Sequence, residues 1–169
     1  EPKVVAIGEI GLDYYGEQTP PRELQQRVLR DQLALAQELD LPVSVHDREA
    51  HAEMYELLRQ YRPRGVLHCY SGSAEDAAWL TAQGMALGFG GAVTYKGAKR
   101  AAKVLAMVPH ELAVLETDCP YMSPEPVRGT RNDSRNIAHV AAKIGEIWQM
   151  DAQSVLDLTA ENAKRIFNQ

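Results

Sequence analysis

The sequence predicts an α/β protein in which short parallel strands alternate with helical crossovers and the sheet curves like the wall of a barrel. Two observations carry this. Five short apolar runs are separated by segments of helical periodicity, the pattern of repeated βα units. Four of those runs finish on a possible metal ligand. Val4-Val5-Ala6-Ile7-Gly8 ends on Glu9, Val43-Ser44-Val45 on His46, Gly65-Val66-Leu67 on His68, and Ala113-Val114-Leu115-Glu116-Thr117 on Asp118. Parallel βα proteins place function at the C-terminal ends of their strands. A flat, doubly wound sheet would hold these four ends too far apart to act together, so their convergence favours barrel curvature.

Each element has its own signals. The first strand is expected over residues 3–9. Its Glu9 sits in an otherwise apolar, glycine-flanked run, and a carboxylate buried there must be paired, neutralised or bound to a metal. Thr19-Pro20-Pro21 opens a helix to about Leu39, with Leu24, Val28, Leu35 and Leu39 near one face. Leu41-Pro42 leads into a strand at 43–46, and a helix over 49–61 carries Met54, Leu57, Leu58 and Tyr61. A strand at 65–69 follows. Ser73 caps a helix to about Gln83, with Asp76 at the capping-box position and Gly84 ending it. Residues 85–94 read as a glycine-rich strand, 97–107 as a helix and 112–117 as the fifth strand. The loop 119–133 is rich in Pro, Gly and Arg, and helices are expected over 134–149, 152–158 and 160–167. No linker or low-complexity segment interrupts the pattern, so residues 1–169 read as one domain.

A chain of 169 residues, 45% of them hydrophobic, is long enough to bury a sizeable core. No apolar stretch is long enough to span a bilayer, and no charged-then-apolar signal opens the chain, so a cytoplasmic protein without membrane partners is expected. The two cysteines, Cys69 and Cys119, make no disulfide framework. Each directly follows a candidate ligand, which turns it to the other face of its strand and predicts two buried thiols. The net charge of -5 argues against a broad, nonspecific nucleic-acid surface. It leaves room for a nucleic acid held at a metal site, where two divalent ions would add about four positive charges. The opening Glu1-Pro2-Lys3 lacks Met and enters a core strand almost at once, which predicts a fragment of a longer protein.

Two imidazoles and two carboxylates suit Zn, Mn, Fe or Ni better than Mg alone. A carboxylate can bridge two ions about 3.5–4 Å apart, and Asp118 can hold one ion while taking the proton from an attacking water. A single strand-end histidine, or an aspartate before Cys-Pro, is more often structural; four such groups on four strand ends weigh against coincidence. Polar residues cluster beside them: Asp13, Arg48, Tyr70, Ser71 and Gly72, and the loop Arg128-Gly129-Thr130-Arg131-Asn132. Arginine is the natural bidentate partner of phosphate. The same loop also fits a solvated charged turn, and the neighbouring candidate metal site favours the phosphate reading. His51, His110 and His139 fall on helices or turns and are expected at the surface. Lys96 after Thr94-Tyr95 fits a Schiff-base lysine, a reading that leaves Glu9 and both histidines unexplained.

Gly8-Glu9-Ile10-Gly11-Leu12-Asp13-Tyr14, Pro42 to Arg48, His68-Cys69-Tyr70-Ser71-Gly72 and Glu116-Thr117-Asp118-Cys119-Pro120-Tyr121 resemble the TatD family of metal-dependent deoxyribonucleases. So do Arg128 to Asn132 and Thr159-Ala160-Glu161-Asn162-Ala163. The resemblance implies an amidohydrolase-like (β/α)8 TIM barrel with two divalent ions, Mg, Mn or Zn. It implies Glu9 bridging both ions, His46 and His68 completing one site, and Asp118 binding the other ion and assisting the water, with Glu9 and Asp118 catalytic. Arg48, Tyr70, Ser71, Arg128, Arg131 and Asn132 are then candidates for holding substrate phosphate. The family's first-strand His-x-His has no counterpart anywhere in the sequence. The resemblance therefore implies only the last five βα units of the barrel, an N-terminally truncated, C-terminal two-thirds with one metal site crippled. Open strand edges at 3–9 and 112–117 then invite self-association. The leading function is hydrolysis of DNA phosphodiesters, trimming ends, with activity impaired in this chain. The alternatives are an ester hydrolase such as a D-aminoacyl-tRNA deacylase, or an inactive fragment that only binds a partner.

Overall fold

Five strands, all parallel, pair in sequence order: β1 (Ile7–Asp13), β2 (Val43–Arg48), β3 (Gly65–Leu67), β4 (Ala86–Phe89) and β5 (Ala113–Leu115). Helices α1 (Arg22–Glu38), α2 (His51–Tyr61), α3 (Ala74–Ala82) and α4 (Lys99–Leu105) form the crossovers, and α5 (Ile137–Trp148) and α6 (Ala152–Phe167) follow the last strand. The computed structural model describes residues 3–168. Glu1, Pro2 and Gln169, and with them the Glu1-Pro2 opening and the outer limits of the 1–169 domain, lie outside the described residues. Among the described residues the sheet stays open, with β1 and β5 at its edges, as the repeated βα pattern and the expected open edges require. Among the described residues no helix is long and apolar enough to cross a membrane.

The alternation of side chains along each strand sorts the sheet into two faces. Val43, Val45, Leu67, Leu87, Phe89 and Ala113 are fully buried and pack into the main core with Leu29 and Leu33 of α1, Met54 and Leu58 of α2, and Val140 and Ile144 of α5. Val66, Ala86 and Val114 point the other way and form a second, smaller cluster under Ala163, Ile166 and Phe167 at the end of α6. By the same alternation, His46, His68 and Glu116 belong to this second face. The functional side chains thus rise from the face that the crossover helices do not cover.

Several elements differ from the sequence expectation. β1 runs over Ile7–Asp13 rather than 3–9, because a bulge at Gly8-Glu9 lets the strand resume pairing, with Ile10 opposite Val45 and Asp13 opposite Arg48. The expected strand 85–94 stops at Phe89, and Gly91–Thr94 winds into a short 3-10 helix. β3 and β5 likewise end at Leu67 and Leu115, so His68 and Asp118 sit beyond the ladder. The helix expected over 134–149 begins as a 3-10 turn at Ser134–Asn136. The two helices expected over 152–158 and 160–167 are one. Thr159, between them, stays in register because its hydroxyl donates to Val155 O (2.8 Å) inside the helix. Ser73 caps α3 as expected, accepting from Asp76 N at 3.0 Å.

Buried Asn162 fastens α6 to the base of β5: its side-chain amide donates to His110 O (2.8 Å) and Ala113 O (2.9 Å). Replacing Asn162 with Ala removes both bonds from a dry site and is expected to cost about 1–3 kcal/mol. Urea denaturation should show this as a lower midpoint with an unchanged slope.

Candidate metal centre

The bulge in β1 determines where Glu9 points. Two residues, Gly8 and Glu9, oppose Ser44 alone, and the strand then closes onto β2 with Gly11 opposite His46. Gly11 has φ +151°, and a Cβ there would lie 2.0 Å from the His46 carbonyl oxygen, so only glycine allows the two strands to meet at this level. His46 projects from β2 and His68 from the first residue past β3. Their ring nitrogens meet the Glu9 carboxylate in a nearly equilateral triangle. Glu9 Oε1 is 3.0 Å from His46 Nδ1 and 2.9 Å from His68 Nε2, and the two nitrogens are 3.2 Å apart. Glu9 is not buried as the sequence suggested. Its side chain is 56% exposed, because β1 is an edge strand and the carboxylate faces an open cleft.

Three lone-pair-bearing atoms held this close repel one another unless a cation or shared proton lies among them. Donors bonded to one divalent ion at about 2.0–2.2 Å lie about 3.0–3.4 Å apart, so this triangle fits an ion without rearrangement. The surrounding groups support that use. His46 Nε2 lies 3.3 Å from Asp13 Oδ2, which holds the proton on Nε2 and leaves Nδ1 free as a ligand. Asp13 is itself fixed by Gln25 of α1, which accepts from Asp13 N and donates to Asp13 O, both at 2.8 Å. His68 Nδ1 lies 3.9 Å from Glu116 Oε1, and Glu116 also accepts from Cys69 N at 2.5 Å. Burial pushes the Glu116 carboxyl above its ordinary value, against the opposing pull of Cys69 and His68. His68, Cys69 and Glu116 form a second group with metal-ligand chemistry.

Glu9, His46 and His68 line a cleft of about 690 Å³ together with Asp47, Arg48, Cys69, Ser71, Asp118, Tyr121 and Met122. Asp118 shares this cleft without joining the triangle; it is exposed, in a left-handed turn (φ 52°) past β5. Of the residues expected to hold phosphate, Arg48 and Ser71 reach the cleft. Tyr70 does not: it is buried and its hydroxyl donates to Ser73 O (2.6 Å) at the start of α3. Arg128 lies over the Tyr95 ring (4.0 Å) beside Glu125. Arg131 lines a separate hollow with Cys119 and Pro120. Asn132 is buried and structural, donating to Thr117 O (2.8 Å) and Tyr121 O (2.7 Å). The three histidines expected at the surface are half-buried. His51 Nδ1 pairs with nearly buried Asp47 at 2.6 Å, and His110 stacks on Trp148 at 4.0 Å. Gln25 and Glu116 were not singled out from the sequence. Glu116 shares strand parity with Val114, a signal that was available; the contact between Gln25 and Asp13 leaves none.

A model of the family described as TatD related DNase matches residues 1–168. The chain belongs to the TatD-related DNase family. It is 40% identical to the uncharacterized metal-dependent hydrolase YabD of Bacillus subtilis, covering 98% of this chain and 66% of that protein. It is 36% identical to the 3'-5' ssDNA/RNA exonuclease TatD of Pectobacterium parmentieri, over 97% of this chain and 66% of that one. The crystal structure of the TatD homolog YjjV from Escherichia coli superposes with a TM-score of 0.89 at 36% identity, covering 98% of this chain and 64% of YjjV. The chain thus spans about two thirds of the length of these TatD relatives, and the fold is that of their TIM-barrel-like α/β hydrolases.

The two thiols differ, contrary to the expectation that both are buried. Cys119 is exposed, because β5 ends at Leu115 and the chain enters a turn before strand alternation can turn the residue inward. Cys69 is half-buried, and burial together with the Glu116 carboxylate pushes its pKa well above the ordinary thiol range. Raising pKa lowers the thiolate fraction at neutral pH. With Ellman's reagent at pH 8, one thiol per chain is expected to react rapidly and the other at least about tenfold more slowly. Cys119→Ser should remove the fast phase alone.

Proposed function

We propose that this chain carries the metal centre of a phosphodiesterase that trims single-stranded DNA. The observation that carries the reading is the Glu9–His46–His68 triangle, with edges of 2.9–3.2 Å, at the wall of a cleft that also presents Arg48 and Asp118. The name of the Pectobacterium relative supports single-stranded nucleic acid as the substrate class. Bound divalent cations polarise a phosphoryl oxygen and lower the pKa of a water. The protein's own groups do the rest. Asp13 and Glu116 hold the two imidazoles, and Arg48 neutralises phosphate charge. Asp118 accepts the proton lost as the water oxygen bonds to phosphorus. The P–O bond to the sugar then breaks, and Asp118 returns its proton to the leaving oxygen.

One ion would be held by the three side chains of the triangle. A second has only Glu9 and Asp118 to draw on, since no His-x-His occurs in the sequence. Calorimetric titration with Mn or Zn is therefore expected to give one tight ion per chain, weakened about 10–100-fold by Asp13→Ala. Two equally tight ions would refute this assignment. The unpaired edges of β1 and β5 and the exposed stripe of Leu24, Val28 and Leu35 on α1 with Leu39 just past it favour a second reading, association with another chain. Sedimentation at several concentrations tests it.

A labelled single-stranded oligodeoxynucleotide should be shortened in the presence of Mn or Mg, with the reaction stopped by chelation and slowed about 100-fold or more by Glu9→Ala. Deacylation of D-aminoacyl-tRNA with the oligonucleotide left intact would replace the phosphodiester reading with ester hydrolysis. Tight metal binding with neither reaction would leave the partner-binding reading.

A further inference from the structure

Tyr121 is the most exposed large apolar side chain among the described residues, at 72%. It lines the cleft that holds Glu9, His46, His68 and Asp118. Its mobility is nonetheless restricted at the backbone. Tyr121 N donates to Asp118 O (3.0 Å), and Tyr121 O accepts from Asn132 (2.7 Å). The same amide of Asn132 ties the turn to Thr117 O, and Asn132 N donates to Pro120 O at 3.0 Å. An aromatic ring is therefore held on a fixed turn three residues from Asp118, with its surface in water. Three other tyrosines are used differently. Tyr14 and Tyr15 carry the guanidinium groups of Arg22 (4.4 Å) and Arg48 (3.7 Å), and Tyr95 carries that of Arg128. Among the described residues neither an aromatic ring nor a guanidinium lies on Tyr121.

We propose that Tyr121 is a stacking platform for a nucleobase of the strand whose phosphate lies at the metal centre, making it the residue that selects unpaired nucleotides. The inference rests on the phosphodiesterase reading and adds what reads the substrate's base. Across the cleft, Arg48, held over Tyr15, supplies the phosphate contact; Tyr121 supplies a flat apolar surface on the Asp118 side. Base–aromatic stacking is worth about 1–3 kcal/mol and is indifferent to which base is present. A base inside a duplex already has both faces covered, so the platform favours single strands without reading sequence.

The test uses fluorescence anisotropy with Ca in place of Mn or Mg. The probes are a labelled oligothymidylate and a strand of equal length in which every residue is abasic. The whole chain is expected to bind the oligothymidylate about 5–150-fold more tightly than the abasic strand, the range that the stacking energy implies. Tyr121→Ala should reduce that preference to within about twofold, Tyr121→Leu should do the same, and Tyr121→Trp should keep it. Unchanged metal titration in each variant excludes a general loss of the site. A preference that survives Tyr121→Ala, retention by Tyr121→Leu, or absence of binding to either strand overturns the proposal. Cleavage by wild type that Tyr121→Ala leaves unaltered sinks the platform and spares the phosphodiesterase. Tyr121-dependent binding without cleavage does the reverse.

Discussion

The register of β1 against β2 is the constraint on which the centre depends. Gly11 sits opposite His46, and the lack of a side chain at Gly11 brings the two backbones together at that level. The bulge at Gly8-Glu9 just before it turns the Glu9 carboxylate toward the same point in space as His46 Nδ1. Without the bulge, a period-two strand would carry Glu9 and Gly11 on one face in regular step with β2. The carboxylate would then stand beside Ser44, one rung below the imidazole. One extra residue in the edge strand thus brings a neighbouring carboxylate against the two imidazoles.

Around this triangle the protein has arranged carboxylates in two ranks. Glu9 faces the cleft with half its side chain in water, while Asp13 and Glu116 stand behind the histidines. Glu116 is the more constrained. Gly88 leaves room for it, since a Cβ there would lie 2.5 Å from Glu116 Oε2, and the Cys69 amide fixes its other oxygen. Its raised pKa records what burying a carboxyl costs in electrostatic terms. The cost is offset by position: Glu116, just past β5, accepts from Cys69 N in the chain leaving β3 and stands 3.9 Å from His68 Nδ1. Asp47 shows the same logic one residue past His46. Burial raises its pKa, and His51, reaching back from the first turn of α2, supplies the compensating contact.

The fold and the meeting of Glu9, His46 and His68 were legible because they depend on local pattern. Short apolar runs between helical segments specify parallel βα units, and a histidine directly after buried Val45 or Leu67 turns to the face opposite the main core. What depended on contacts across the sheet was less visible. The bulge at Gly8-Glu9 has a local signature only in its glycine, and nothing in the first strand announces that pairing resumes at Ile10. Asn132 and Tyr70 carry the right chemistry for phosphate, yet both are consumed by the chain itself, one tying the loop after β5 and the other anchoring the start of α3. Arg128 was drawn to an aromatic ring in its own neighbourhood rather than to the centre. Polar residues beside a site are ambiguous in sequence because backbone carbonyls compete for them as strongly as a ligand does.

The open side of the sheet gives the centre its character. The crossover helices cover one face completely, and α6 turns its last residues, Ile166 and Phe167, under the lower part of the other. Only the upper part of that second face remains accessible, and it is bordered by strand ends rather than by helices. A ligand entering there meets backbone turns at 69–72 and 118–122 on one side and the β1 edge on the other. The first turn is tied to β4 by Tyr70 N donating to Gly88 O, and the second is closed by Tyr121 N donating to Asp118 O and by Asn132 donating to Tyr121 O. Side-chain exposure rises from His68 and Glu116 through His46 to Glu9. Glu9, at the entrance, is therefore better solvated than Glu116 behind it, and an incoming ligand meets Glu9 and the imidazoles before it meets the half-buried Glu116 carboxyl.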